Sequence, residues 1–82
     1  MREKIVIYSR HALEQMDYRH ISKSDIETTL QDPDKVSRQS SSRHIFVKFL
    51  APQKLLVVVC AVKDARTTII TAFITSKVKK YL

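Results

Sequence analysis

The amino-acid sequence predicts an α+β domain in which two N-terminal helices pack on one face of an antiparallel sheet of about four strands. Two hydroxyl-capped segments with helical apolar spacing follow a single short apolar run, Ile5-Val6-Ile7-Tyr8. After Pro33 the pattern changes to alternation and to β-branched runs that continue to Thr75. Helical and strand patterns are thus segregated along the chain, as in an antiparallel sheet with helices on one side.

Taken in order, Ile5 to Tyr8 reads as a first strand, and Ser9 offers a hydroxyl N-cap with Tyr8 and Leu13 placed as a hydrophobic staple. At 100° per residue Ala12, Met16, His20 and Leu13 form one stripe, while His11 and Tyr18 fall together on the far flank. Ser22 caps a second helix, Asp25 closes a short capping box, and Ile26 and Leu30 give its buried side. The D-P-D run from Asp32 to Asp34 ends it, because proline disfavours helical geometry in the residue before it. Lys35 to Gln39 begins the strands, with the polar S-R-Q-S-S-S-R as a turn. His44 to Leu50 then alternates Ile45, Val47 and Phe49 against His44, Phe46 and Lys48. Leu55 to Val62 is apolar on both faces, as a central strand should be. Turns at Ala51 to Lys54 and Lys63 to Arg66 flank it, and Thr67 to Thr75 is the last strand. Strict alternation puts Thr68, Ile70, Ala72 and Ile74 toward the helices. It leaves Thr67, Ile69, Thr71, Phe73 and Thr75 on an open face with His44, Phe46 and Lys48.

With 82 residues and one cysteine, Cys60, the chain is expected to be a single domain, 1–82, in a reducing compartment, with no disulfide. Its longest apolar run, Leu55 to Val62, is too short to cross a bilayer as a helix, and the start M-R-E-K-I-V-I-Y is shorter than a signal-peptide core. A cytoplasmic protein without a membrane partner is expected. His11, His20 and His44 have no paired ligand spacing and there is no glycine at all, so neither a metal site nor a phosphate-binding glycine loop is expected, and no cofactor.

Charge is unevenly divided. Residues 1–41 balance seven Lys/Arg against seven Asp/Glu, whereas residues 42–82 hold eight Lys/Arg and only Asp64. The whole excess of +7 therefore belongs to the second half, and such a field attracts polyanions: nucleic acid, an anionic membrane or an acidic protein. Solubility alone is the plainer account. At the opening helix His11 stands second, where unpaired N–H groups and the helix dipole favour a phosphate, with Arg10 beside it. An exposed histidine there can pass protons near neutrality, or have no task. Arg19 can reach a carboxylate or a ligand phosphate past the helix end. The open threonine-rich face suits nucleic acid, and threonine is equally an ordinary exposed strand residue.

The stretch H-A-L-E-Q-M-D-Y-R-H-I-S-K-S-D-I-E-T-T-L-Q-D-P-D, followed by strands and the ending T-A-F-I-T-S-K-V-K-K-Y, resembles the domain-of-unknown-function-4258 family of small prokaryotic proteins. Its pattern runs H-A-x-x-x-M-x-x-R-G-I-S-x-x-D-[IV]-x-x-x-[IL]-x-x-P and closes on a strand with T-x-[YF]. His20 stands where that family usually has glycine. The family is similar in fold to the barnase, EndoU, colicin and RelE group of metal-independent ribonucleases and toxins, so the resemblance implies a RelE/barnase-like fold and an RNA-cleaving site. It implies a toxin-type endoribonuclease that uses the RNA 2′-hydroxyl as nucleophile, held in check by an acidic antitoxin. In it His11 is the acid/base, Arg19, Thr71 and Lys77 hold phosphate, and Arg43 and Lys48 assist; Lys79 and Lys80 extend the RNA-binding tail. A non-catalytic RNA-binding protein on the same fold, or a protein-interaction subunit, are the alternatives.

Overall fold

The computed structural model describes residues 5–82; the basic start of the chain, residues 1–4, lies outside the described residues. Five strands form one sheet: β1 (Ile5–Tyr8), β2 (Lys35–Arg38), β3 (Arg43–Ala51), β4 (Lys54–Lys63) and β5 (Arg66–Thr75), in the order β1-β5-β4-β3-β2. The doubly apolar run from Leu55 to Val62 is thus in the central strand. Three helices accompany the sheet: α1 (Arg10–Arg19), α2 (Lys23–Gln31) and α3 (Val78–Tyr81).

This corrects the expected architecture of two N-terminal helices on one face of an antiparallel sheet of about four strands. The sheet has five strands and is mixed, because β1 pairs parallel to β5 while the other neighbours are antiparallel. The described residues are mostly β, and the helices are not confined to one face. Local pattern could not supply either point. The direction of β1 depends on which edge it meets, and the only signal for α3 is the i, i+3 pair Val78 and Tyr81 inside a lysine-rich tail.

The core is divided by the sheet. On one face Ala12, Met16, Ile21 and Ile26 pack with Leu56, Val58, Cys60, Ile69 and Ala72. On the other, Val47, Leu55 and Val57 are covered by Ile45, Phe73, Val78 and Tyr81. Fully burying a side chain of this kind contributes about 1.5–3 kcal/mol relative to exposure. Tyr81 meets Phe73 edge-on at 5.8 Å between centroids, and Lys35 Nζ donates to the Leu82 carbonyl at 3.2 Å, drawing the chain end across to β2.

Without glycine, two other residues among those described adopt left-handed backbone. Asp64 (φ 56°) sits in the two-residue turn between Lys63 and Arg66, a position aspartate tolerates. His20 (φ 57°, ψ 43°) ends α1: its N–H donates to the Asp17 carbonyl at 3.3 Å, and Ile21 N–H to that of Met16 at 2.8 Å. These are the paired bonds of a Schellman stop, completed by Met16 and Ile21 in the same core, and they explain why glycine suits this position.

A β-bulge decides which way the last strand faces. Val59 pairs with Thr71 but Cys60 pairs with Ile69, leaving Ile70 as an extra residue. Ile69 and Ala72 therefore both join the core under α1 and α2, contrary to strict alternation. Thr68 and Thr71 share the opposite face with Phe73 and Thr75, since they pair with Ala61, Val59, Val57 and Leu55.

Candidate nucleic-acid interface

Ser9 starts α1 and fastens it to the sheet. Its Oγ accepts from Ala12 N–H at 3.0 Å and donates to the Ile70 carbonyl at 3.2 Å, while its own N–H reaches the Ile69 carbonyl at 3.1 Å. β1 pairs with β5 only as far as Ile69, so the carbonyls beyond lose a strand partner there. The Arg19 guanidinium takes up the next one, donating from Nη1 to the Ala72 carbonyl at 2.9 Å. Arg19 thus closes the β5 edge from the far end of α1.

His11 is exposed at the second position of α1. Beside it, Arg10 lies 3.5 Å from Glu14, an ion pair so exposed that it contributes little. Thr71 belongs to the sheet face turned away from Ala12 and Met16. Among the described residues no hydrogen bond joins His11, Arg19 and Thr71, and only Arg19 and Thr71 sit beside the same short stretch of β5, on opposite sides of it. Lys48 pairs with Leu56 on the helix side, where Nζ donates to the Asp32 carbonyl at 2.8 Å and meets its carboxylate at 3.4 Å. It holds the end of α2 instead of lining an open face, and His44 and Phe46 are on that same side.

The face away from α1 and α2 has two parts. α3 covers Phe73, Val57 and Val47. Beyond it lie rows that mix hydroxyl-bearing and aliphatic side chains: Thr71, Val59, Ile45 and Ser37 in one, and Ile7, Thr68 and Ala61 in the next. Ile7 is 39% exposed and Ile5 54%. Arg43, Lys63 and Arg66 border this area at one end, Lys63 and Arg66 being directly paired. Lys35 and the α3 segment with Lys77, Lys79 and Lys80 border the other. Lys35, Lys63 and Arg66 were not among the residues singled out from sequence. Strand parity could have found them once the bulge was known.

Acidic groups avoid this face. Glu14, Asp17, Asp25, Glu27, Asp32 and Asp34 lie on α1, on α2 or just after it. Among the described residues Asp64, at a turn, is the only other acidic side chain. Of the second-half cations, Arg43, Lys63 and Arg66 border this face and Lys77, Lys79 and Lys80 lie on the segment that covers it, whereas Lys48 is on the helix side.

Two titratable groups on the helix side are shifted. Burial pushes the Cys60 thiol up to about 11, which makes it an inert core residue. The Tyr8 phenol is raised by burial and then by the Glu27 carboxylate. Its ring is partly exposed, with Lys23 Nζ 5.1 Å from the centroid, but its oxygen is buried and has no hydrogen-bond partner among the described residues. No described helix is long and apolar enough to cross a membrane.

Residues 8–74 match the family described as Domain of unknown function (DUF4258), and the chain belongs to that family. No curated protein and no solved structure matches it. The match ends before α3.

Proposed function

We propose that this DUF4258 chain is an RNA-binding protein that lays a single strand across the sheet face turned away from α1 and α2, without cleaving it. The observation that carries the reading is the segregation of charge among the described residues, with most carboxylates on the helical side and cations that make no ion pair there at both ends of an open face. Phosphates are held by Arg43, Lys63 and Arg66 at one border and by Lys77, Lys79 and Lys80 at the other. Between them Thr68, Thr71 and Ser37 offer hydroxyls, and Ile7, Ile45 and Val59 apolar surface, to the strand.

Toxin-type endonuclease chemistry, the finer statement of the resemblance, needs an acid/base and phosphate donors around one phosphate. His11 is free for that role, but Arg19 already serves the Ala72 carbonyl and Thr71 faces away from the core that anchors α1. Binding alone needs no such convergence. An acidic antitoxin would find its complement on the same basic face.

Fluorescence anisotropy with a single-stranded RNA across a salt series tests this. Log affinity should fall linearly with log salt, by about 0.7 per neutralised phosphate. Charge reversal of Arg43, Lys63 and Arg66 together should flatten the slope, and Arg10→Glu on the helical side should leave it nearly unchanged. Equal effects from both sides would refute a one-sided interface. RNA cleavage in chelator that is lost in His11→Ala would replace the binding reading with the nuclease one.

A further inference from the structure

Resting on the RNA-binding reading, we propose that the cleft between the β3–β4 turn and the β5–α3 junction is a subsite for a phosphate monoester that carries a base. Either a free mononucleotide or the phosphorylated end of an RNA strand has that chemistry. The cavity measures about 590 Å³ and is lined by Pro52, Gln53, Ser76, Lys77, Val78 and Lys79. This is the size of ordinary small-ligand sites, about 300–1,000 Å³.

The lining divides into two chemistries. Lys77 and Lys79 make no ion pair and no side-chain hydrogen bond among the described residues, while Lys80 is turned to the Tyr81 ring at 5.6 Å. No carboxylate is among the lining residues, so two lysines without an ion pair among the described residues share one cleft with Ser76. That arrangement favours a dianion over the single charge of a phosphodiester. Pro52 and Val78 add apolar surface to the same lining, a seat for a planar base. The Gln53 amide beside them carries both donors and an acceptor for a base edge. The junction is held in shape from within, because Lys77 N–H donates to Thr75 Oγ1 at 3.1 Å and Val78 N–H to the Ser76 carbonyl at 2.9 Å.

Titration of the ¹⁵N-labelled protein with AMP, adenosine and inorganic phosphate, read by amide shifts, tests the subsite. AMP should move the amides of Gln53 and of Ser76 to Lys79, and bind about tenfold more tightly than adenosine or phosphate, the gain of joining two weak contacts. The double variant Lys77→Ala, Lys79→Ala should lose about tenfold in AMP affinity, and Gln53→Ala should reduce discrimination among the four nucleotides. Phosphate binding as well as AMP would overturn the proposal, leaving a bare anion patch. RNA oligomers with a 5′-phosphate, a 3′-phosphate or neither identify the source. Tighter binding of one phosphorylated form assigns the cleft to an RNA end, and equal binding of all three, with AMP still bound, assigns it to the free nucleotide. If RNA binds with the expected salt slope but AMP moves nothing, the subsite fails alone. If RNA does not bind and AMP does, the failure belongs to the RNA-binding reading.

Discussion

The two faces of the sheet come from the same strands and are put to different use. Under α1 and α2, side chains from two helices and two strands close a core that includes Ala12, Met16, Ile26, Leu56, Val58, Cys60, Ile69 and Ala72. Across the sheet only Val47, Leu55 and Val57 are sealed, beneath a four-residue helix, and the rest of that face stays open between basic borders. Among the described residues most carboxylates follow the first face, and Arg43, Lys63 and Arg66, which make no ion pair there, follow the second. A chain near the lower size limit for a stable core has concentrated its packing on one side. The other side is left for contact, since a surface that must meet a ligand cannot also be filled by the fold.

The largest effect that would break this comparison is expected from Ile26→Ala on the packed side, where emptying a fully buried site should cost about 2–5 kcal/mol in urea unfolding. A loss much smaller than that would remove α2 from the core.

Next comes pH. The Cys60 thiol ionises near 11 in the folded chain against an ordinary 9.0. Below pH 9 it is protonated in both states and adds no pH dependence. Between pH 9 and 11 the unfolded chain gives up the proton more readily than the folded one, so stability should decline as pH rises through that window. Cys60→Ala should lack this part of the decline, and a thiol reagent that labels the native wild type at neutral pH would contradict the assignment.

Arg19→Ala should be somewhat milder, about 1.5–3 kcal/mol, the contribution of a hydrogen bond from a charged donor to a part-buried carbonyl. Partial rescue by Arg19→Lys would mark an edge-closing residue. A variant that keeps full stability but loses an RNA-dependent function would return Arg19 to the site. The smallest change is expected at Thr71→Val on the open face, within about 0.5 kcal/mol for folding. Its reading is sharper in binding, where a measurable loss of RNA affinity at unchanged stability would show the hydroxyl in use.

Much of the scaffold was legible from residues alone. Ser9 and Ser22 cap their helices as their spacing predicts, accepting from Ala12 and Asp25 N–H, each at 3.0 Å, and D-P-D ends α2. Such signals are local: a hydroxyl caps the turn that follows it wherever the chain goes next. Leu55 to Val62 reads as central because eight consecutive apolar residues have no wet face to show. His11 was legible as exposed for the same reason, since helical phase is set within a few residues.

The partners of His11 were not legible in this way. Strict alternation put Thr71 on the open face, where it lies, but one unpaired residue, Ile70, turns the first half of β5 over, so that Ile69 enters the core and Thr68 joins Thr71. No glycine or proline marks that bulge, which answers instead to how β4, β5 and Ser9 meet. Arg19 lies 53 positions from the carbonyl it serves, and that carbonyl lacks a strand partner only because β1 stops at Tyr8. The overall charge and its imbalance along the chain are sequence properties. That Arg43, Lys63 and Arg66 gather on the face away from the carboxylates of α1 and α2 was decided by the parity of the strands and by which side the helices cover. These are relations between segments far apart in the chain, fixed only when the sheet closes.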